Sequence, residues 1–190
     1  LAKEETLYNG EISDVQKQNL WNLTIRDNIF VICKTQMAKS ITKRTLVGFK
    51  NAKVNTRYFD DLINQITNKS PQFIEKVRNG KTYWKANNDE YMKFNAIVGN
   101  PPYNKLNGGG NGTSGEVLYN KFVQIAKDTK ASYVSMIMPA RWYTSGELEY
   151  IRKELLYDNK IEVLNDYPNA SDCFSILEIK GGICHFLWNK

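Results

Sequence analysis

Hydrophobic positions change their spacing several times along this chain, and each change marks an element. TLYNGEIS at 6–13 predicts a short strand ending in an acidic residue, Glu11, and VQKQNLWNLTIRD after it shows no clean period and reads as irregular. NIFVICKTQMAKSI places Ile29, Ile32, Cys33, Gln36, Met37 and Ser40 at helical spacing, with Asp27 or Asn28 as cap, which predicts a helix over 28–41. From Lys43 to Glu90 the pattern is mixed and basic, with one helix expected in YFDDLINQITNKS and another in PQFIEKVRN, where Pro71 suits a first helical turn. KFNAIVGN is a continuous apolar run between polar residues, the pattern of a parallel strand buried on both faces.

The second half alternates more clearly. EVLYNKFVQIAKD sets Leu118, Phe122, Ile125 and Ala126 on one helical face, and ASYVSMIM reads as another buried strand. TSGELEYIRKELLYDN predicts a capped helix with Leu148, Ile151 and Leu155 inward, followed by KIEVLND as a strand. GGICHFLWN closes the chain as a strand. The connection YPNASDCFSILEIK has no room for a long crossover helix, so this last strand is expected to return antiparallel, at the edge of the sheet. The fold class is α/β, a mostly parallel sheet with one antiparallel C-terminal strand.

Composition narrows the class without naming a function. The 190 residues suit one domain, and 42% hydrophobic against 24% charged residues is a globular balance. A net charge of +6 and a pI near 9.1 suit an anionic partner such as nucleic acid, and also suit many enzymes. The three cysteines, Cys33, Cys173 and Cys184, show no paired spacing, which argues against a disulfide framework or a zinc ribbon and for a cytoplasmic setting. No apolar run has the length of a membrane span, and LAKEETLYNG has no signal-peptide core. The start at Leu1 rather than Met suggests a piece of something longer.

The chemistry concentrates in Asn100-Pro101-Pro102-Tyr103, which follows the strand KFNAIVGN. In a doubly wound sheet, ligands lie outside the carboxyl ends of the strands, where this tetrapeptide falls. Two prolines fix φ, remove two backbone donors and hold Asn100 and Pro101 extended, leaving a rigid row of acceptors. The Asn100 side-chain oxygen and the Pro101 carbonyl can each accept one hydrogen from a single NH₂ group. The exocyclic amine of adenine needs that arrangement, because its lone pair is delocalised into the ring until both hydrogens are held. Tyr103 offers a flat face on which an unstacked base can lie, worth about 1–3 kcal/mol. Orientation and stacking require no strong base, which suits a chain with one histidine, His185.

FNAIVGNPPY resembles the catalytic motif of adenine-N6 DNA methyltransferases. LYNKFVQIAK, SYVSMIMPARWY, LNDYPNASDCF and GGICHFLW are similar to the type II restriction-modification enzymes of that class, over roughly the last hundred residues. The resemblance implies that Asn100 and Pro101 hold the target amine, that Tyr103 stacks on the flipped adenine, and that S-adenosylmethionine is the methyl donor. It also implies a Rossmann-like methyltransferase sheet, double-stranded DNA as partner, and membership of a larger restriction-modification polypeptide. The glycine loop that follows the family's first strand has no counterpart before residue 94. TLYNGEIS and the helix after it are similar to the family's second strand, which makes Glu11 the acid for the cofactor's ribose. The chain is then expected to be one partial catalytic domain lacking its first strand, with 1–93 on the cofactor side and 94–190 on the target-base side.

Rival readings exist for several of these features. The same tetrapeptide serves enzymes that methylate protein glutamine or RNA adenine, and a fragment without its cofactor loop can be a noncatalytic DNA-binding piece. GNGTSG, from Gly110 to Gly115, fits G-x-G-x-x-G, but no strand immediately precedes it, so it reads as a loop near the site. Asp172, Glu178 and Lys180 faintly resemble a nuclease metal site, with spacing that is too short. Cys184 and His185 are strand neighbours and point to opposite faces, which excludes them as joint metal ligands. Arg141 can meet phosphate and Trp142 can wall a base pocket, or both can cap the core; the sequence leaves these level. The basic residues from Lys34 to Arg57 read either as a solvated face or as a track for a DNA backbone.

Overall fold

The computed structural model describes residues 12–85, 91–105, 115–174 and 179–190. These fall into two compact units. One holds the described residues through Asn64 together with the segment from Gly80. The other holds Gln65–Asn79 and the described residues from Tyr91 to Lys190.

The described part of the first unit opens with helix α1, Asp14–Asn28, where no helix is expected from hydrophobic period. Its signal is local instead: Ser13 caps the helix and Gln16 returns the bond, so two orphan donors are satisfied reciprocally. The expected helix over 28–41 is corrected next. Phe30–Cys33 is a strand, β1, and the helix, α2, runs from Gln36 to Val47. A four-residue apolar run fits either period; pairing in parallel with β2, Asn55–Tyr58, decides it, and Thr35 restarts the chain as a helix by capping Ala38 N–H at 3.0 Å. Buried Asn55 donates to the carbonyls of Arg26 and Ile29 at 2.6 and 3.2 Å, fastening the end of α1 to β2. TLYNGEIS through Glu11 lies outside the described residues, and α1 separates it from the strand that feeds α2.

Helix α3, Leu62–Asn68, contains the division between the units, and α4, Ser70–Arg78, follows with Pro71 in its first turn as expected. The second unit is built on a four-stranded sheet in the order β3-β4-β6-β5, from Ala96–Gly99, Tyr133–Pro139, Ile183–Asn189 and Ile161–Tyr167 respectively. β3 and β4 are parallel, and β6 runs antiparallel to both β4 and β5. The reversed C-terminal strand is therefore present, but it lies inside the sheet and β5 takes the edge. β3 also departs from expectation. Among the described residues it pairs only with β4, and Val98 is 78% exposed, so the strand is not buried on both faces.

One face of this sheet is covered. Val134, Met136 and Met138 of β4 and Cys184, Phe186 and Trp188 of β6 are buried against Tyr119, Val123 and Ala126 of α5, Tyr119–Asp128, and Ile151 and Leu155 of α6, Glu149–Leu156. The intervening residues Ser135, Ile137, His185 and Leu187 face the other way and are half-buried, the strand period in plain form. Cys184 and His185 are split between faces as the alternation requires. The expected side-chain cap of the helix at 144–159 is absent; a short 3₁₀ turn, Gly146–Leu148, leads into α6 instead. The β5–β6 connection turns on Gly182, at φ +75°, where a Cβ would come within 2.4 Å of the Tyr167 carbonyl.

At the far end of the sheet, Lys127 of α5 lies 3.3 Å from both Glu154 and Asp158, and Trp188 N–H donates to Asp158 at 2.7 Å. Burial alone would raise the Asp158 pKa, but the bonds from Trp188 and the Lys160 backbone and the charge of Lys127 leave it below the ordinary value. A carboxylate with a depressed folded pKa contributes stability above its unfolded pKa, and that contribution disappears as pH falls through the folded one. Thermal unfolding followed from about pH 5 to pH 2 should therefore lose stability less steeply in Asp158→Asn than in the wild type.

Candidate active site

Because β3 and β4 are parallel, the segments leaving their carboxyl ends emerge on the same side of the sheet. Asn100–Tyr103 leaves β3, and a 3₁₀ turn, Ala140–Tyr143, leaves β4. The tetrapeptide and Arg141 are thus brought to one end of the sheet from positions forty residues apart in sequence. Asn100 is exposed at the strand end, Pro101 is buried behind it, and Pro102 and Tyr103 are half-buried. An exposed amide on a rigid, buried proline base is free to meet a ligand and is poorly free to move.

Tyr103 packs against the core cluster, and its buried hydroxyl has no hydrogen-bond partner among the described residues. Burial pushes the phenol above its usual pKa, with the neighbouring thiols of Cys184 and Cys173 adding to the effect, so it stays neutral at physiological pH. The backbone beyond it is pinned. Tyr103 C=O accepts from Leu118 N–H at 2.9 Å, Lys105 N–H donates to Glu116 C=O at 2.8 Å, and Asn104 bridges Val117 in antiparallel fashion. Gly115 sits at this crossing, where a Cβ would fall 1.9 Å from the Lys105 carbonyl, so only glycine allows the approach. Of the glycine-rich GNGTSG, Gly115 alone lies among the described residues.

The turn after β4 separates the two residues whose roles the sequence left level. Trp142 is fully buried and donates its indole N–H to Cys184 Sγ at 3.2 Å, so it is part of the core. Burial raises the Cys184 thiol pKa, and the Trp142 bond only partly opposes that. Arg141 is exposed, in a long 3.7 Å pair with Glu147. The turn itself is held by Arg152 of α6, one guanidinium nitrogen of which lies 3.1–3.2 Å from the carbonyls of Trp142, Tyr143 and Ser145. Nothing in the local sequence signals Arg152; its role depends on a fold that brings α6 under the turn.

A cleft of about 360 Å³ opens beside this turn, lined in part by Val117, Asn120, Lys121, Arg141, Glu147 and Tyr150. Val117 belongs to the segment paired with Asn104, so the cleft adjoins the tetrapeptide. Among the nuclease-like residues, Asp172 is exposed at the end of a 3₁₀ turn, Ala170–Asp172, Lys180 is exposed, and Glu178 lies outside the described residues. Of the basic stretch, Lys34, Lys43 and Arg44 are exposed, and Lys39 leans over the Tyr58 ring at 5.5 Å.

The Asn-Pro-Pro-Tyr corner thus stands at the carboxyl end of a parallel strand, in an α/β sheet with one reversed strand. The chain belongs to the Eco57I restriction-modification methylase family, which residues 27–174 match. It is also similar to an "Uncharacterized adenine-specific methylase" of Mycoplasma pneumoniae, 36% identical over 140 residues that cover 65% of this chain and 33% of the relative. The chain thus spans about a third of that relative's length.

The buried, unpartnered Tyr103 hydroxyl carries a clear expectation. Removing a buried polar atom that bonds nothing relieves a penalty of about 1–3 kcal/mol, so Tyr103→Phe should leave the urea midpoint unchanged or raise it, while Tyr103→Ala lowers it.

Proposed function

We propose that this protein transfers a methyl group from S-adenosylmethionine to the exocyclic amine of adenine in double-stranded DNA, in the cytoplasm, as part of a larger restriction-modification polypeptide. The observation that carries the reading is the exposed Asn100 amide on its buried Pro101 base at the end of β3, on the same side of the sheet as Arg141. Membership of the Eco57I family favours DNA over protein glutamine as the acceptor. The fold is read accordingly as a Rossmann-like methyltransferase fold, of which these residues form part of the catalytic domain.

In this reading Asn100 Oδ1 and the Pro101 carbonyl each accept one hydrogen of the target amine. That holds the two N–H bonds in fixed directions and withdraws the nitrogen lone pair from conjugation with the ring. Tyr103 presents its ring to the extruded base and, its phenol being neutral and set into the core, does so in a fixed orientation. Pro102 has no N–H to compete for the carbonyls around it. The methyl donor, when bound, supplies an electrophilic carbon on a sulfonium centre. Its ribose acid is read as Glu11, which lies outside the described residues, so the described residues account for the amine and not for the donor. The proton that the methylated nitrogen sheds passes to water, since the acceptors around it are neutral.

The test is transfer of labelled methyl groups into duplex DNA by the full-length protein, with the product nucleoside identified by mass. Asn100→Ala should lower kcat by about 100- to 1,000-fold with DNA binding retained, as loss of one fixed polar contact to the reacting centre does elsewhere. Full activity in that variant, or the absence of N6-methyladenine from the labelled DNA, would remove the reading.

A further inference from the structure

The cleft beside the β4 turn has a feature that its surface position does not require. Tyr150 is 48% exposed, and a tyrosine that open usually turns freely in water. Here its hydroxyl bonds the side-chain NH₂ of Asn120, which is only 7% exposed, and the Asn120 oxygen accepts Lys121 N–H at 2.9 Å. A buried amide therefore fixes an exposed aromatic ring at the cleft wall. Lys121 and Arg141 stand around the same cleft. Glu147 holds Arg141 at 3.7 Å, with both side chains about half or more exposed, a pair weak enough to exchange for another anion. Glu116 and Glu147 offset the two cations, so the cleft favours one well-placed phosphate and not a dense run of them.

A fixed aromatic platform with cations beside it is the usual means of holding an unstacked nucleotide. The volume, about 360 Å³, lies at the small end of ligand sites, which run from about 300 to 1,000 Å³. The segment that lines the cleft is joined to the end of the tetrapeptide, Val117 bridging Asn104 and Leu118 N–H donating to the Tyr103 carbonyl at 2.9 Å. We infer that it is a second nucleotide subsite, which receives the nucleotide next to the target adenine, with Tyr150 against its base and Arg141 and Lys121 at its phosphate. This rests on the DNA reading above. It adds a recognition role for the residue neighbouring the methylated base, which the tetrapeptide alone cannot supply.

The experiment measures methylation and equilibrium binding by the full-length protein on duplexes that carry either a normal or an abasic nucleotide beside the adenine. Tyr150→Ala should lower kcat/KM by about tenfold on the normal duplex and much less on the abasic one, since stacking is lost only where a base exists. Tyr150→Phe, which keeps the ring and frees it from Asn120, should fall between. Arg141→Gln should reduce the slope of log K against log salt by about 0.9. Equal losses for Tyr150→Ala on both duplexes, or an unchanged slope, would overturn the inference. The binding measurements keep the two proposals separable. A protein that binds DNA with these dependences and methylates no adenine refutes the function and leaves the subsite standing.

Discussion

The site depends on the parallel pairing of β3 with β4. Four register pairs, from Ala96 with Tyr133 to Gly99 with Met136, fix the height at which β3 stops relative to β4. A slip of one residue would turn Val134, Met136 and Met138 out of the core and Ser135 and Ile137 into it. The burial of the β4 face therefore enforces the register, and the register stops β3 at Gly99, level with Met136, so that Asn100 leaves the sheet before β4 gives way, at Pro139, to the turn that carries Arg141. In this sense the packing of Phe186 and Trp188 against the helices also sets the position of the Asn100 corner. The hydrophobic effect sets the alignment, and the polar contacts refine it locally.

Beyond that pairing, the site is held by backbone carbonyls meeting fixed donors. Arg152 gathers three carbonyls of the β4 turn, and the Tyr103–Lys105 segment is tied to Glu116–Leu118 by two main-chain bonds. Neither device presents a side chain to a substrate. Both restrict the segments that do, which is the usual division of labour between a functional residue and the residues that orient it.

The legible parts of this structure were those with strong period or rigid chemistry. The buried faces of β4, α5, α6 and β6 were readable because each sustains its period over seven or more residues, and Asn100–Tyr103 because two prolines leave few conformations. Phe30–Cys33 was misread since four apolar residues satisfy both periods, and its partner β2 contributes Asn, Thr, Arg and Tyr, with no apolar alternation to find. The interior place of β6 was equally hidden: hairpin-like return to β5 says which strand it pairs with first, not that its other edge meets β4. Trp142 and Arg141 are adjacent in sequence and part company only because the 3₁₀ turn sends one into the core and the other to the cleft. Tyr150 and Asn120 carried no motif at all, being joined by a fold that no local window contains.

The three cysteines, whose count first spoke only to redox setting, end up in very different surroundings. Cys33 and Cys184 are buried, and Cys184 is further engaged by the Trp142 indole, whereas Cys173 is exposed in the segment that follows the carboxyl end of β5. β5 runs in the same direction as β3 and β4, so that segment leaves on the side of the sheet where the tetrapeptide lies. Among the described residues the native chain thus offers a thiol-reactive dye one accessible point of attachment, close to Tyr103. A fluorophore placed there would report local events without any cysteine having to be removed.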